Sequence, residues 1–502
     1  MEHLDVLVVG AGISGISAAW HLQTRCPKKS FAIFEARESL GGTWDLFRYP
    51  GVRSDSDMFT LGFHFRPWRG AKSIADGPDI LAYLRETAEA YGIDRRMRLR
   101  HRVLRAAWDS ATSLWTVDYQ AGDDPASRRL TCSFLFSCAG YYDYAAGHRP
   151  AFPGEERFQG RIVHPQAWPD DLDYAGKQVV VIGSGATAVT LVPAMARTAG
   201  HVTMLQRSPT YVISRPSRDA QADRLRKRLP AKLAYGLTRW RNVLLQMYFF
   251  RIARRRPEAA KAAILKMAQA QLGPDYDVAT HFTPRYNPWD QRLCLIPDAD
   301  LFDALKLGTA SVVTDHIESF TERGIQLKSG QHLDADIIVT ATGLEVRLLG
   351  GVEITVDGRP ARPSESFSYK TMMFSGLPNL AATFGYTNAS WTLKADLTAA
   401  YVCRLLNYMD RHGYTECRPV NEAPDQEALP WLEFSSGYVT RARDRMPKQG
   451  REAPWRVNQN YALDLMALRW GRLDDGVMRF SRAGARAAAP ESGTAIAPEP
   501  VA

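Results

Sequence analysis

Two stretches of this 502-residue chain share one order of apolar and polar positions. Residues 5–9 form a short β-branched apolar run, 10–15 a glycine turn, 16–23 an apolar pattern at helical spacing, and 30–35 a second apolar run. The same order returns in residues 178–182, 183–188, 189–197 and 201–206. Strand, turn, helix and strand make a βαβ unit. Two such units in one chain predict an α/β fold with two dinucleotide-binding, Rossmann-like domains.

A third pattern recurs: residues 133–140 and 335–343 are apolar strands ending on small residues and glycine. Each would close a nucleotide domain. The predicted division is 1–144 with 341–482 as the first domain and 145–340 as the second. A helix is predicted over 388–407. Residues 483–502 are rich in Ala, Pro and Glu and are predicted to be disordered.

Composition narrows the class. Hydrophobic residues are 45% and charged residues 23%, which excludes a largely disordered chain. No apolar run approaches the roughly 20 residues that span a bilayer, and 243–250 is far too short. Asp5 interrupts the first apolar run, so no secretory signal is read there. The six cysteines show neither a C-x-x-C pair nor a zinc spacing. They read as reduced thiols of a cytoplasmic protein, with no metal site.

The net charge of +9 is uneven: residues 215–266 hold fifteen Lys/Arg against three acids. A basic helical insertion over about 215–285 in the second domain is expected. Its apolar stripe should pack on its own domain while its arginines stay in water. Weak peripheral contact with an anionic membrane is the alternative. Nucleic acid is not expected, because no recognition module accompanies the charge.

The first turn, with Gly10, Gly12, Ser14 and Gly15, is a G-x-G-x-x-G motif between a strand and a helix. Glu35 follows Gly15 by 20 residues, the spacing of an acid that holds ribose hydroxyls. The second turn, Gly183, Ser184, Gly185, Ala186, Thr187 and Ala188, is the G-x-G-x-x-A variant. Its second strand ends not in an acid but in Arg207 and Ser208. A guanidinium and a hydroxyl favour a 2′-phosphate, so NADPH rather than NADH is predicted.

Two nucleotide domains suggest a flavin reduced by a nicotinamide. A disulfide reductase has this layout, but Trp44 follows Gly41-Gly42-Thr43 where a cysteine pair would be needed. The linker carries Phe158, Gly160, His164, Trp168 and Pro169 in the order F-x-G-x-x-x-H-x-x-x-W-P. With residues 41–51, 287–294 and 386–397, it resembles the Baeyer–Villiger monooxygenases over nearly the whole chain.

That resemblance implies FAD, NADPH and O2, and conversion of ketones to esters or lactones through a C4a-peroxyflavin. Sulfides and thioamides would be second acceptors. It implies Arg292 as the catalytic cation and Asp55 as its orienting acid. FAD contacts are implied at Ser14, Thr43, Trp44, Asp45, Leu46, Asp55 and Val103, and NADPH contacts at Arg53, Ser54 and Asp55. His164 reads as a linker residue rather than an acid or base. Gln291 departs from relatives that have Lys there and leaves Arg207 more of the 2′-phosphate binding. Two alternatives stay open: an N- or S-oxygenating flavin monooxygenase that forms no esters, and an NADPH oxidase or redox sensor. A serine hydrolase is excluded, since neither Ser14 nor Ser184 lies in G-x-S-x-G.

Overall fold

The computed structural model describes residues 1–423 and 425–483. The predicted disordered tail, 483–502, lies outside them except for residue 483. Nine strands of the described residues form a first sheet. β1 (Glu2–Val9) lies inside it, parallel to β2 (Phe31–Phe34) on one side and to β6 (Arg128–Ser137) on the other. Val6, Leu7 and Val8 are fully buried, the continuous apolar run of a parallel strand covered on both faces. β3 (Met97–Arg98) extends the β2 side, and β5 (Leu114–Ala121) and β4 (His101–Asp109) continue antiparallel from β6. The strands Glu353–Val356 and Leu380–Ala382 join β4 and β6, so the chain beyond 343 returns to this sheet.

One face of the sheet is covered by α1 (Ile13–Arg25), which packs against a later long helix, Trp391–His412. That helix starts three residues after its predicted beginning and ends five after its predicted end. Ser390 stands before it in extended backbone, and Gly413 stops it in the left-handed conformation. Short helices α2 (Thr43–Leu46) and α3 (Met58–Leu61) follow β2, and then α4 (Gly77–Ala90).

A second sheet is wholly parallel, in the order Ala310–Thr314, β10 (His201–Gln206), β9 (Gln178–Ile182), Ile337–Thr340, β8 (Arg161–Val163). α5 (Ala186–Met195) follows β9. The two connections between the sheets pair with each other: β7 (Tyr142–Gly147) runs antiparallel to Leu344–Val346.

The basic segment folds into α6 (Ala220–Arg228), α7 (Ala231–Arg255), α8 (Pro257–Leu272) and α9 (Val278–His281). Ala268 and Leu272 of α8 join the second core, as a helix packed on its own sheet should. α7 does not follow the expected orientation. It packs on α3 beside the first sheet and buries Arg239, while Leu233, Leu237, Trp240 and Leu244 face outward. Carbonyls left free around α3 offer a guanidinium more partners than they offer a leucine, and this reverses the stripe. All six cysteines are buried and unpaired. Among the described residues, no helix is long and apolar enough to cross a membrane.

α10 (Asp300–Lys306) lies beside α5. α11, the helix Trp391–His412, is followed by α12 (Gly437–Ala442) and α13 (Tyr461–Arg469). A buried ion pair fixes α13 to α11. Lys394 Nζ lies 2.7 Å from Asp464 Oδ2, with the side chains 1% and 5% exposed, and Tyr386 donates to the same oxygen at 2.7 Å. Lys394→Met removes the cation and leaves the buried Asp464 without its ion-pair partner. A loss of about 3–5 kcal/mol in urea unfolding at neutral pH is expected.

Candidate active site

The first glycine turn is built by close approach. Gly10 has φ +104°, and a Cβ on it would lie 2.7 Å from the Cys138 carbonyl oxygen. A Cβ on Gly15 would fall 1.9 Å from the Gly10 oxygen. Gly12 precedes α1 with no side-chain cap, so the first amides of the helix are free for a pyrophosphate. Across from it, a Cβ on Gly42 would stand 3.1 Å from Gly12 Cα, which brings the starts of α1 and α2 together. Glu35, buried at the end of β2, accepts from the Ala11 amide at 2.8 Å and the Arg37 amide at 2.9 Å. Burial raises its pKa against both bonds.

On α2, the hydroxyls of Thr43 and Tyr144 lie 3.2 Å apart, and Trp44 packs on the first core. Leu46 ends the helix. Asp45 is buried, accepting from Arg37 at 2.7 Å and Ser39 at 2.6 Å. Burial alone would raise its pKa, but those donors outweigh it and hold the carboxyl below its usual range. Val103 sits in β4 with its side chain in the core of Leu7, Phe34 and Tyr119.

The second turn repeats the geometry. Gly183 has φ +135°, and a Cβ would lie 2.4 Å from the Ala341 oxygen. Gly185 precedes α5 uncapped, with Ala186, Thr187 and Ala188 in the first turn of the helix. Ser184 donates to the Ser208 carbonyl at 3.0 Å and ties the turn to the end of β10. Arg207 and Ser208 are exposed there, and Arg207 forms no ion pair among the described residues. An uncapped helix start beside a free guanidinium suits a phosphorylated nucleotide.

Residues 49–55 cross between the two nucleotide units. Tyr49 packs on the second core. Gly51 has φ +75°, and its Cβ would lie 2.7 Å from Ala194 Cβ on α5. Arg53 reaches Asp300 at the start of α10 through both terminal nitrogens. Ser54 is buried, bonded through its amide to the Ala75 carbonyl at 3.0 Å. Asp55 Oδ2 meets Arg292 Nη2 at 2.5 Å. Asp55 raises the pKa of Arg292 far above its already high value, and burial only partly opposes this.

Three tyrosines, Tyr141, Tyr142 and Tyr438, lie near that cation. The hydroxyls of Tyr141 and Tyr142 lie 2.6 Å apart, and burial, with Tyr438 of α12 nearby, pushes both pKa values up. Tyr141 stacks on Trp391, with centroids 5.3 Å apart, and the Trp391 indole donates to Ser14 at 2.8 Å. Asp300, Tyr141, Tyr142 and Tyr438 are absent from the sequence-based site, whereas Trp391 belongs to the 386–397 segment that carries the family resemblance. Only the Tyr141–Tyr142 pair gave a signal, by following directly on the Gly140 strand end.

Comparison with known proteins settles the family. Residues 74–231 match the flavin-binding monooxygenase-like model and 8–72 an NAD(P)-binding Rossmann-like domain. The chain is 56% identical to the FAD-containing monooxygenase EthA of Mycobacterium tuberculosis, over 96% of this chain and 98% of that one. The chain belongs to the FAD-containing monooxygenase family.

A probable FAD-binding monooxygenase, AlmA, of Acinetobacter baylyi is 51% identical over 96% of this monooxygenase and 97% of AlmA. Among solved structures, an oxidized steroid monooxygenase bound to NADP aligns with TM-score 0.74 and 25% identity, covering 96% of this chain and all of that one. The uncapped glycine turn with buried Glu35 fits FAD. The second turn, with Arg207 beside it, fits a phosphorylated nicotinamide nucleotide.

The linker residues of this monooxygenase pack on the second unit, and His164 alone among them meets the β7 connection. Phe158 packs edge-on to Phe320. Gly160 has no room for a Cβ, which would lie 2.3 Å from the Asp336 oxygen. His164 follows β8 with its ring against the β7 ribbon; a Cβ on Gly147 would lie 1.9 Å from Cε1. Its Nδ1 accepts from the Gln166 amide at 3.2 Å, while Nε2 is buried without a partner. Burial lowers its pKa, so the ring is neutral at pH 7. Trp168 packs on the second core, followed by Pro169.

Asp45 supplies a pH test of the first turn. Its folded pKa is depressed, so its contribution is present above the unfolded value, near 4, and is lost as pH falls through the folded one. Asp45→Asn should cost about 2 kcal/mol at pH 7. In urea unfolding the gap to the unaltered protein should narrow below about pH 4.

Proposed function

We propose that this protein is a Baeyer–Villiger monooxygenase that uses NADPH and O2 to convert ketones into esters or lactones. Sulfides and thioamides are its second class of acceptor. The observation that carries this reading is the contact of Arg292 with Asp55, near Tyr141, which stacks on the Trp391 that bonds Ser14 of the first glycine turn. FAD, when bound, supplies the redox chemistry that activates oxygen. The chain supplies charge placement.

Arg292 is a guanidinium, cationic at every working pH, and Asp55 stabilises its charged form further. Its planar fork offers several directed donors, suited to negative charge that develops on a carbonyl-derived oxygen. Asp55 fixes the direction of the fork. Tyr141 and Tyr142 stay neutral, so they bring hydroxyl donors without competing negative charge. The Arg292 and Asp55 side chains are 35% and 36% exposed, so the guanidinium is open to an incoming substrate carbonyl.

Arg207 and Ser208 hold the 2′-phosphate of NADPH, since Gln291 brings no charge and Arg53 is engaged by Asp300. His164 is a positioning residue that senses the nucleotide through the linker ribbon. Its neutral ring and free Nε2 suit that role.

Arg292→Ala should retain FAD and accept hydride from NADPH while ester formation from a simple ketone falls about 10²–10³-fold. Gas chromatography of products against single-turnover flavin absorbance separates the two steps. Unchanged ester formation would remove Arg292 from the mechanism. Arg207→Ala should raise the KM for NADPH and leave that for NADH nearly unchanged; equal changes would refute the 2′-phosphate assignment.

A further inference from the structure

Helix α7 inverts the usual amphipathic arrangement. Its inner side is polar: Arg239, 8% exposed, donates to the carbonyls of Phe59, Thr60 and Gly62 at 2.8, 3.2 and 2.8 Å. Asn242 and Gln246 donate to Asp57 at 2.9 and 3.2 Å, and Arg241 pairs with Asp219. Its outer side is apolar. Leu233, Leu237, Trp240, Leu244, Tyr248 and Ile252 recur every three or four residues and are 36% to 59% exposed. Tyr461 at the start of α13 packs on Trp240, with centroids 5.8 Å apart. α13 adds exposed Leu463 and Met466, with Trp470 just beyond it. Contiguous apolar surface of this kind on a folded protein marks a binding face.

Charge identifies what binds. The stripe is bounded by cations: Lys232 at one end and Arg251, Arg255 and Arg256 at the other, all exposed and without ion pairs among the described residues. A second copy of this chain would bring one cationic end against another. Asp219 is already held by Arg241, and exposed Glu258 in the first turn of α8 is outnumbered by Arg251, Arg255 and Arg256. A surface that is apolar inside and anionic at its boundary satisfies both features. We propose that the outer face of α7 docks on an anionic phospholipid bilayer. Its large apolar side chains enter the boundary between headgroups and acyl chains, and its terminal arginines face lipid phosphates. The docking face is joined to the proposed site. The inner side of α7 holds Asp57, two residues from Asp55, and Phe250 meets Trp289 edge-on at 5.5 Å, three residues before Arg292.

The test is cosedimentation of the FAD-loaded protein with vesicles of phosphatidylcholine alone or mixed with phosphatidylglycerol, at low and high salt. Binding only to the anionic vesicles, weakened by salt, is expected. Replacing Arg251, Arg255 and Arg256 together by Gln should weaken it on the order of 100-fold. Leu237→Glu with Leu244→Glu should abolish it while flavin absorbance and the NADPH oxidation rate stay unchanged. If that double variant loses its flavin, the arginine variant decides the question. Absence of binding, or equal binding to neutral vesicles, would overturn the proposal. So would a dimer in light scattering that Leu237→Glu with Leu244→Glu makes monomeric, which would assign the face to a second copy.

Discussion

The 2.5 Å contact between Asp55 and Arg292 exists only because a loop of the first nucleotide unit lies on the second. Within seven residues that loop seats Tyr49 on the second core, presses Gly51 against α5 and binds Arg53 to Asp300. These anchors lie on packed helices, so the acid that orients the cation is held by rigid elements and not by its own flexibility. Gly51 is required there. Its positive φ and the closeness of Ala194 leave no space for a side chain.

The two nucleotide turns and this seam make one mechanical object. Trp391 hydrogen-bonds Ser14 on α1 and stacks on Tyr141, which lies against the surroundings of Arg292. The paired connecting strands bring His164 and Gly147 into contact beside the same junction. A change in the spacing of the two units would therefore be felt at the cation, at the first helix start and at the linker histidine. Packed interiors shift as units and do not deform gradually, which makes this coupling a mechanical consequence of the fold.

The helical insertion follows a different rule. Its third helix, α8, behaves as an amphipathic helix on its own sheet, whereas α7 gives its polar side to exposed carbonyls around α3. An arginine that satisfies three buried carbonyls prevents them from remaining unpaired, which is costly in a protein interior. The apolar residues left on the opposite side are the consequence.

The repeated order of apolar run, glycine turn, helix and apolar run is a local pattern, and local sterics translate it directly. Gly10, Gly15 and Gly183 are glycines because strand and helix approach too closely for a Cβ. The sequence alone therefore determined the α/β class, the two nucleotide turns and the position of Glu35 at the end of β2. It also supplied Arg292 and Asp55 as candidates through a family resemblance, while their contact depends on how two distant loops meet. Asp300 as the partner of Arg53, Tyr438 beside Arg292 and the outward stripe of α7 have no signature at short range. Periodicity shows that a helix has two faces, but which face turns inward depends on the unpaired groups it meets. Only the tertiary structure decides that.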